Sequence, residues 1–191
     1  MLSLRFDTPP TWREAVLANP VAFLQDHAAN ERKVVQSALQ LAAHYPTRPD
    51  IVRAMSELAA EELSHFEAVR QLLEELGHTL DFEQPDPYIA ELRKLMRKVD
   101  THAYLLDRLI LFAVIEARGC ERFALAADLF PEGPIRAFYR DLVRSEARHH
   151  ALFLRLARNH FDQETIRARL DTILDAEAAL VARLPARAAL H

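Results

Sequence analysis

Apolar residues recur at three- and four-residue intervals along most of the chain, and no stretch alternates apolar with polar as a half-buried strand would. The pattern predicts helices, divided at prolines and glycines. Thr11-Trp12-Arg13-Glu14 has the form of a capping box and predicts a short helix ending near Asn19. Asn19-Pro20 reads as N-cap and first-turn proline of a long helix reaching about Tyr45. Pro46 to Pro49 breaks it, and a second long helix is expected from about Asp50 to Leu76, with Gly77 as its C-terminal cap. Residues 78–86 read as the longest irregular stretch. A third helical region is expected from about Pro87 to Leu129, bent or broken near Asp100-Thr101. Pro131 to Pro134 separates it from a fourth long helix over about 134–160. A fifth is expected over about 163–183.

Each long helix has one apolar stripe, and polar residues interrupt it. The first stripe carries Leu24, His27, Glu31, Val34, Ala38 and Leu41. The second carries Met55, Leu58, Glu62, His65, Phe66 and Val69. The third carries Leu109, Phe112, Ala113, Glu116, Cys120 and Phe123. The fourth carries Phe138, Leu142, Glu146, His149 and Phe153. Glu62-Leu63-Ser64-His65 and Glu146-Ala147-Arg148-His149 are two copies of Glu-x-x-His. Each has a lone glutamate about thirty residues upstream, Glu31 and Glu116. Positions i and i+3 share a helix face, so each Glu–His pair can grip one metal site. Two such helices plus two single-Glu helices form the ligand set of a di-iron or di-manganese carboxylate bundle. Four inward carboxylates without cations would cost several kcal/mol each. Two divalent metals would supply four positive charges against four glutamates, with two neutral imidazoles completing the set.

Taken singly, a glutamate on a long helix is usually solvated or ion-paired. The matched pair of motifs, each with its upstream glutamate on the apolar face, argues against that reading for the set of six. Among the neighbours, Glu61 could also face His65. The equivalent position of the second motif is Ser145, so internal symmetry favours Glu62. Glu121 lies on another face from Glu116 and is expected to pair with Arg118 or Arg122 outside. His27 is expected to be a hydrogen-bonded core histidine and Cys120 a small core residue.

Composition narrows the class. The chain has 191 residues, half of them apolar, with only three glycines, which favours helix and one domain spanning 1–191. The single cysteine excludes an intrachain disulfide framework and fits a reducing cytosol. No apolar run approaches a membrane span, and the first residues lack the apolar core of a signal peptide, so a cytoplasmic location is expected. A net charge of −4 does not mark a general polyanion binder; any nucleic-acid contact must come from a local patch.

The segment Ile115-Glu116-Ala117-Arg118-Gly119-Cys120-Glu121-Arg122-Phe123 resembles a signature of the tRNA 2-methylthio-isopentenyladenosine hydroxylase family. So does the stretch from Leu142 to His150, and so do Asp26 to Lys33, Glu61 to Phe66 and the opening Thr-Pro-x-x-Trp. The resemblance runs in order over about residues 8–160. It implies an all-α, ferritin-like four-helix bundle with flanking helices, holding two iron ions. It also implies O2-dependent hydroxylation of the isopentenyl group on a modified adenosine of tRNA, with an external electron donor. The matching positions give the ligand roles to Glu31, Glu62, His65, Glu116, Glu146 and His149.

The implied partners are the anticodon stem-loop of tRNA and an electron-transfer protein, with no membrane; the sequence leaves the oligomeric state open. Arg93, Lys94, Arg97 and Lys98 place four cations within six residues and are candidates to hold tRNA phosphates, against the reading of a solvated helix face. Arg136, Arg140, Arg144 and Arg148 form an i+4 stripe expected to face outward. The rival readings are a manganese catalase, a small-molecule oxygenase or a non-enzymatic iron store, because these share the same bundle.

Overall fold

The computed structural model describes residues 2–97, 100–146 and 148–191, and the side chains of Arg144 and Ser145 fall outside that description. Among the described residues there are eight helices and no strand. They are α1 (Pro10–Ala18), α2 (Pro20–His44), α3 (Pro49–Glu75), α4 (Pro87–Arg93), α5 (Thr101–Leu129), α6 (Pro134–Glu146), α7 (His149–His160) and α8 (Gln163–Arg183).

Local chemistry sets most of the ends. Prolines occupy the first turns of α1, α2, α3 and α4, where their missing N–H costs nothing. Asp86, Asp100 and Asp162 cap α4, α5 and α8 by accepting from Ile89, Ala103 and Thr165 backbone N–H groups. Beyond α3, Gly77 takes φ +82°. Its N–H bonds the Glu74 carbonyl at 2.9 Å and that of His78 bonds Leu73 at 2.9 Å, the paired arrangement that closes many helices.

Two expectations are corrected. The capping box at Thr11 is not formed: Pro9 is the N-cap of α1 and Thr11 already lies inside the helix. The single fourth helix over 134–160 is two helices, with a turn at Arg148. No proline or glycine lies between Leu142 and His150, so propensity gave no warning. The turn coincides with side chains pulled across to α3: Arg148 donates to Glu61 at 2.9 Å, and His149 Nδ1 lies 3.0 Å from Glu62 Oε1.

Four rods form the bundle: α2, α3, α5 and the α6–α7 pair. Their directions follow from two apolar cores, one at each end. Core one holds Ala38, Leu41, Met55, Leu58, Leu109, Ala113, Phe153 and Leu156. Core two holds Leu24, Ala28, Val69, Leu73, Phe123, Ala126, Tyr139 and Leu142. Along α2 and α6–α7 the chain passes from core two to core one; along α3 and α5 it passes the other way. The parallel pair α3 and α5 therefore needs a long crossover, supplied by residues 76–100 with α4 inside it. Helix α8 packs on α5 and α4, and α1 crosses α2 and α5. In all four rods the candidate ligands sit where one core gives way to the other. Each large side chain buried in these cores contributes about 1.5–3 kcal/mol, and dozens of them offset a polar layer at mid-height. No helix among the described residues is long and apolar enough to cross a membrane.

Candidate metal centre

The six residues predicted from spacing converge. Glu31, Glu62, Glu116, Glu146 and His149 are buried, and His65 is nearly so. His65 Nδ1 lies 2.9 Å from Glu62 Oε2 and 3.0 Å from Glu146 Oε1. His149 Nδ1 lies 2.8 Å from Glu146 Oε2, 3.0 Å from Glu62 Oε1 and 3.9 Å from Glu116 Oε2. Two overlapping groups of donor atoms result, each within 4.8 Å: Glu31, Glu62, His65 and Glu146; and Glu62, Glu116, Glu146 and His149. Glu62 and Glu146 belong to both. The arrangement has an internal two-fold character: each group takes one single-Glu helix and one imidazole, and both share the two carboxylates of the Glu-x-x-His motifs.

The electrostatics of this layer are unfavourable without a cation. Burial, then the Glu62 and Glu146 charges, push Glu31 and Glu116 well above the usual carboxylate range. Burial pushes Glu62 up as well, but hydrogen bonds with His149 and His65 outweigh it and hold that carboxyl below its usual range. Burial opposes protonation of the two imidazoles. Contacts with Glu146 and Glu62 override it, raising His65 to about 9 and His149 to about 12. Glu116 Oε1 is buried with no hydrogen-bond partner among the described residues. An orphaned carboxylate oxygen beside an all-oxygen-and-nitrogen donor set fits a pair of divalent cations such as iron or manganese.

These shifts give a pH prediction. Because the imidazole pKa values lie above the unfolded 6.5, the imidazolium–carboxylate contacts stabilise the metal-free fold fully below about pH 6.5. That contribution is lost as pH rises through about 9 for His65. Metal binding needs neutral imidazoles and ionised carboxylates. Ferrous ion added to the metal-free protein in weak buffer at about pH 7 is expected to release protons, and apparent affinity is expected to rise with pH. Uptake without acidification, read with a pH indicator, would contradict this electrostatic account.

Behind Glu31 lies a buried relay. His27 Nε2 is 2.5 Å from Glu31 Oε1, and His27 Nδ1 is 3.0 Å from the Tyr139 hydroxyl. Burial lowers His27 to about 3, so the ring is neutral. The ring therefore bridges Glu31 and Tyr139 through its two nitrogens, one as donor and one as acceptor, which fixes the carboxyl group's orientation. His27 is thus a hydrogen-bonded core histidine that also touches the site. Tyr139 was not singled out by sequence reasoning; its one legible signal is its place two turns before Glu146. Glu61 has a second role that symmetry hid, with Oε2 3.3 Å from His149 Nε2.

The other neighbours settle plainly. Cys120 is a free, buried core residue. Glu121 pairs with Arg118 at 2.5 Å and accepts from Thr8, as its face suggested, but Arg118 is not outside. Arg118 is wholly buried, held by Glu177 of α8 at 2.8 Å. The four-cation cluster is divided. Arg93 is exposed, Lys94 pairs with Glu91 at 2.5 Å, and Arg97 is clamped to buried Asp107 at 2.7 Å. Lys98 lies outside the described residues. In the arginine stripe, Arg136 and Arg140 meet Glu132, Arg148 meets Glu61, and the Arg144 side chain is not described.

The chain matches the family described as tRNA-(MS[2]IO[6]A)-hydroxylase (MiaE) over residues 2–191. A relative from Pseudomonas putida, named tRNA 2-(methylsulfanyl)-N(6)-isopentenyladenosine(37) hydroxylase, is 39% identical over 91% of this chain and 84% of its own. A Salmonella typhimurium protein of the same name is 33% identical over 82% of this chain and 56% of its own. A solved structure described as protein 43 with aldehyde deformylating oxygenase activity, from Synechococcus, superposes with a TM-score of 0.93. It is 35% identical and covers 98% of this chain and 93% of its own. The expected ferritin-like bundle is therefore the fold observed, and its carboxylate–histidine group fits di-iron binding.

Proposed function

The chain belongs to the MiaE family of tRNA hydroxylases, and from that premise we propose that it hydroxylates the isopentenyl group of 2-methylthio-N6-isopentenyladenosine in tRNA. The observation that carries the chemical half of this reading is the pair of overlapping donor groups sharing Glu62 and Glu146. Glu31 and His65 would hold one iron and Glu116 and His149 the other, with Glu62 and Glu146 available to both. Two irons bound here would supply the activation of O2 needed to oxidise an unactivated C–H bond. The balance is one O2, two electrons and two protons for one hydroxylated carbon and one water, so an external electron donor is required.

The side chains do the rest. His27, fixed by Tyr139, holds Glu31 in one orientation. Phe123 and Ala28 on one side of the layer and Ala113 and Leu58 on the other exclude bulk water, which would otherwise quench an oxidising centre. The substrate is an RNA, so a cytoplasmic location goes with this reading. Iron storage is disfavoured by a site closed by two apolar cores and by the family match.

The test in cells is mass spectrometry of tRNA nucleosides with and without the gene. Hydroxylated 2-methylthio-isopentenyladenosine is expected only when the gene is present, and its persistence in a strain lacking the gene would overturn the assignment.

A further inference from the structure

A groove of about 590 Å³ runs between α2, α4 and α5, within the size range of small-ligand sites. Its lining changes character along its length. Val34, Phe112 and Ile115 make one end apolar. Val34 lies one turn after Glu31, Phe112 one turn before Glu116, and Ile115 next to Glu116, so along α2 and α5 this end lies within a turn of the carboxylate layer. Tyr104, Arg108 and Arg93 also line it. Arg108 is held in place: it donates to the Ser37 carbonyl at 3.1 Å and lies 5.8 Å and 5.2 Å over the rings of Tyr104 and Phe112. Arg93 is exposed and has no ion pair among the described residues.

We propose that this groove is where the prenylated adenosine enters, with the five-carbon chain on Val34, Phe112 and Ile115 and the base against Tyr104. Arg93 and Arg108 then face the flanking phosphates. The inference rests on the hydroxylase reading. Charge complementarity supports it: fixed and free guanidinium groups flank the apolar lining, and the groove's carboxylate, Glu83, is neutralised by Arg32 and Lys33, which suits a flipped, alkylated nucleotide on an anionic strand. It also explains how one bundle shape serves different substrates: the Synechococcus chain shares this fold under another activity, so selection must lie in the lining. The linear cluster Arg93 to Lys98 is replaced, in this reading, by a spatial one in which only Arg93 takes part.

The test uses iron-loaded protein and a synthetic anticodon stem-loop, with and without the prenyl group. Arg93→Gln is expected to weaken stem-loop binding several-fold and to lower the slope of log affinity against log salt by about 0.7, the share of one phosphate contact on a single strand. Lys94→Gln, paired with Glu91, is the control and should change neither. The unaltered protein is expected to prefer the prenylated stem-loop by roughly tenfold or more, the factor that burying about two methylene equivalents supplies. Val34→Trp should remove that preference. Iron content should stay unchanged in all three variants. If wild-type protein hydroxylates the stem-loop while Arg93→Gln and Val34→Trp bind and discriminate as it does, the groove is refuted and the hydroxylase reading stands. Equal losses in Arg93→Gln and Lys94→Gln would also refute it. Absence of hydroxylation by the wild-type protein would overturn both.

Discussion

Glu116→Ala is expected to lower iron from about two per chain to one or fewer, with loss of hydroxylation. Glu121→Ala, five residues on, should leave iron content unchanged. Glu116 is buried within the layer, its Oε2 3.9 Å from His149 Nδ1 and its Oε1 without a hydrogen-bond partner among the described residues. Its removal opens one of the two donor groups while leaving the shared carboxylates Glu62 and Glu146 in place. Glu121 instead accepts from Thr8 and Arg118 on another face, so its loss should cost stability of about 1–3 kcal/mol through unpaired donors. Elemental analysis of the purified variants decides the matter. Equal iron loss in both would show that the effect is general destabilisation and not removal of a ligand.

The second large effect is expected on the face of α5 turned away from the metal layer. Arg118 and Glu177 are both fully buried, joined by two hydrogen bonds of 2.8 Å and 3.1 Å, and Tyr88 donates to the same carboxylate at 3.1 Å. This contact ties α8 to α5 next to Glu116. Glu177→Leu leaves a buried guanidinium short of its main counter-charge, which costs about 3–5 kcal/mol. At roughly 2–4 °C per kcal/mol for a chain of this size, the melting temperature of the metal-free protein should fall by about 6–20 °C. Adding Arg118→Met to that variant should recover much of the loss, because the apolar pair leaves no fully buried charge and Glu121 keeps its two bonds from Thr8. A melting curve shifted by only a degree or two in the single variant would mean that Glu121 and the Phe6 carbonyl suffice for Arg118.

The legible and illegible parts of this molecule divide along a physical line. Helix spans and the six converging side chains were readable because periodicity and i,i+3 spacing are local geometry. Proline starts, the Gly77 cap and the break before Thr101 were readable for the same reason. The interruption between Glu146 and His149 was not, since no breaker residue marks it and the accompanying contacts reach across to α3. Burial of Arg118 was misjudged because its counter-charge, Glu177, lies 59 residues away in sequence. The candidate tRNA cluster shows a related limit of linear reading. The fold separates the three described cations into one exposed residue, one locally paired and one clamped to Asp107, and Lys98 lies outside the described residues. Arg108, which stands with Arg93 along the groove, is 15 positions further on and gave no linear signal.

The central claim is that this carboxylate–histidine layer, loaded with iron, inserts oxygen from O2 into the prenyl group of tRNA. The most direct measurement is nucleoside mass spectrometry after reaction of the reduced, iron-loaded protein with correctly modified tRNA under isotope-labelled O2. One labelled oxygen atom is predicted in the hydroxylated nucleoside, and none should form with the Glu116→Ala protein. Failure to form any hydroxylated nucleoside, while a known hydroxylase is active in parallel, would contradict the account. So would product carrying only unlabelled oxygen from water.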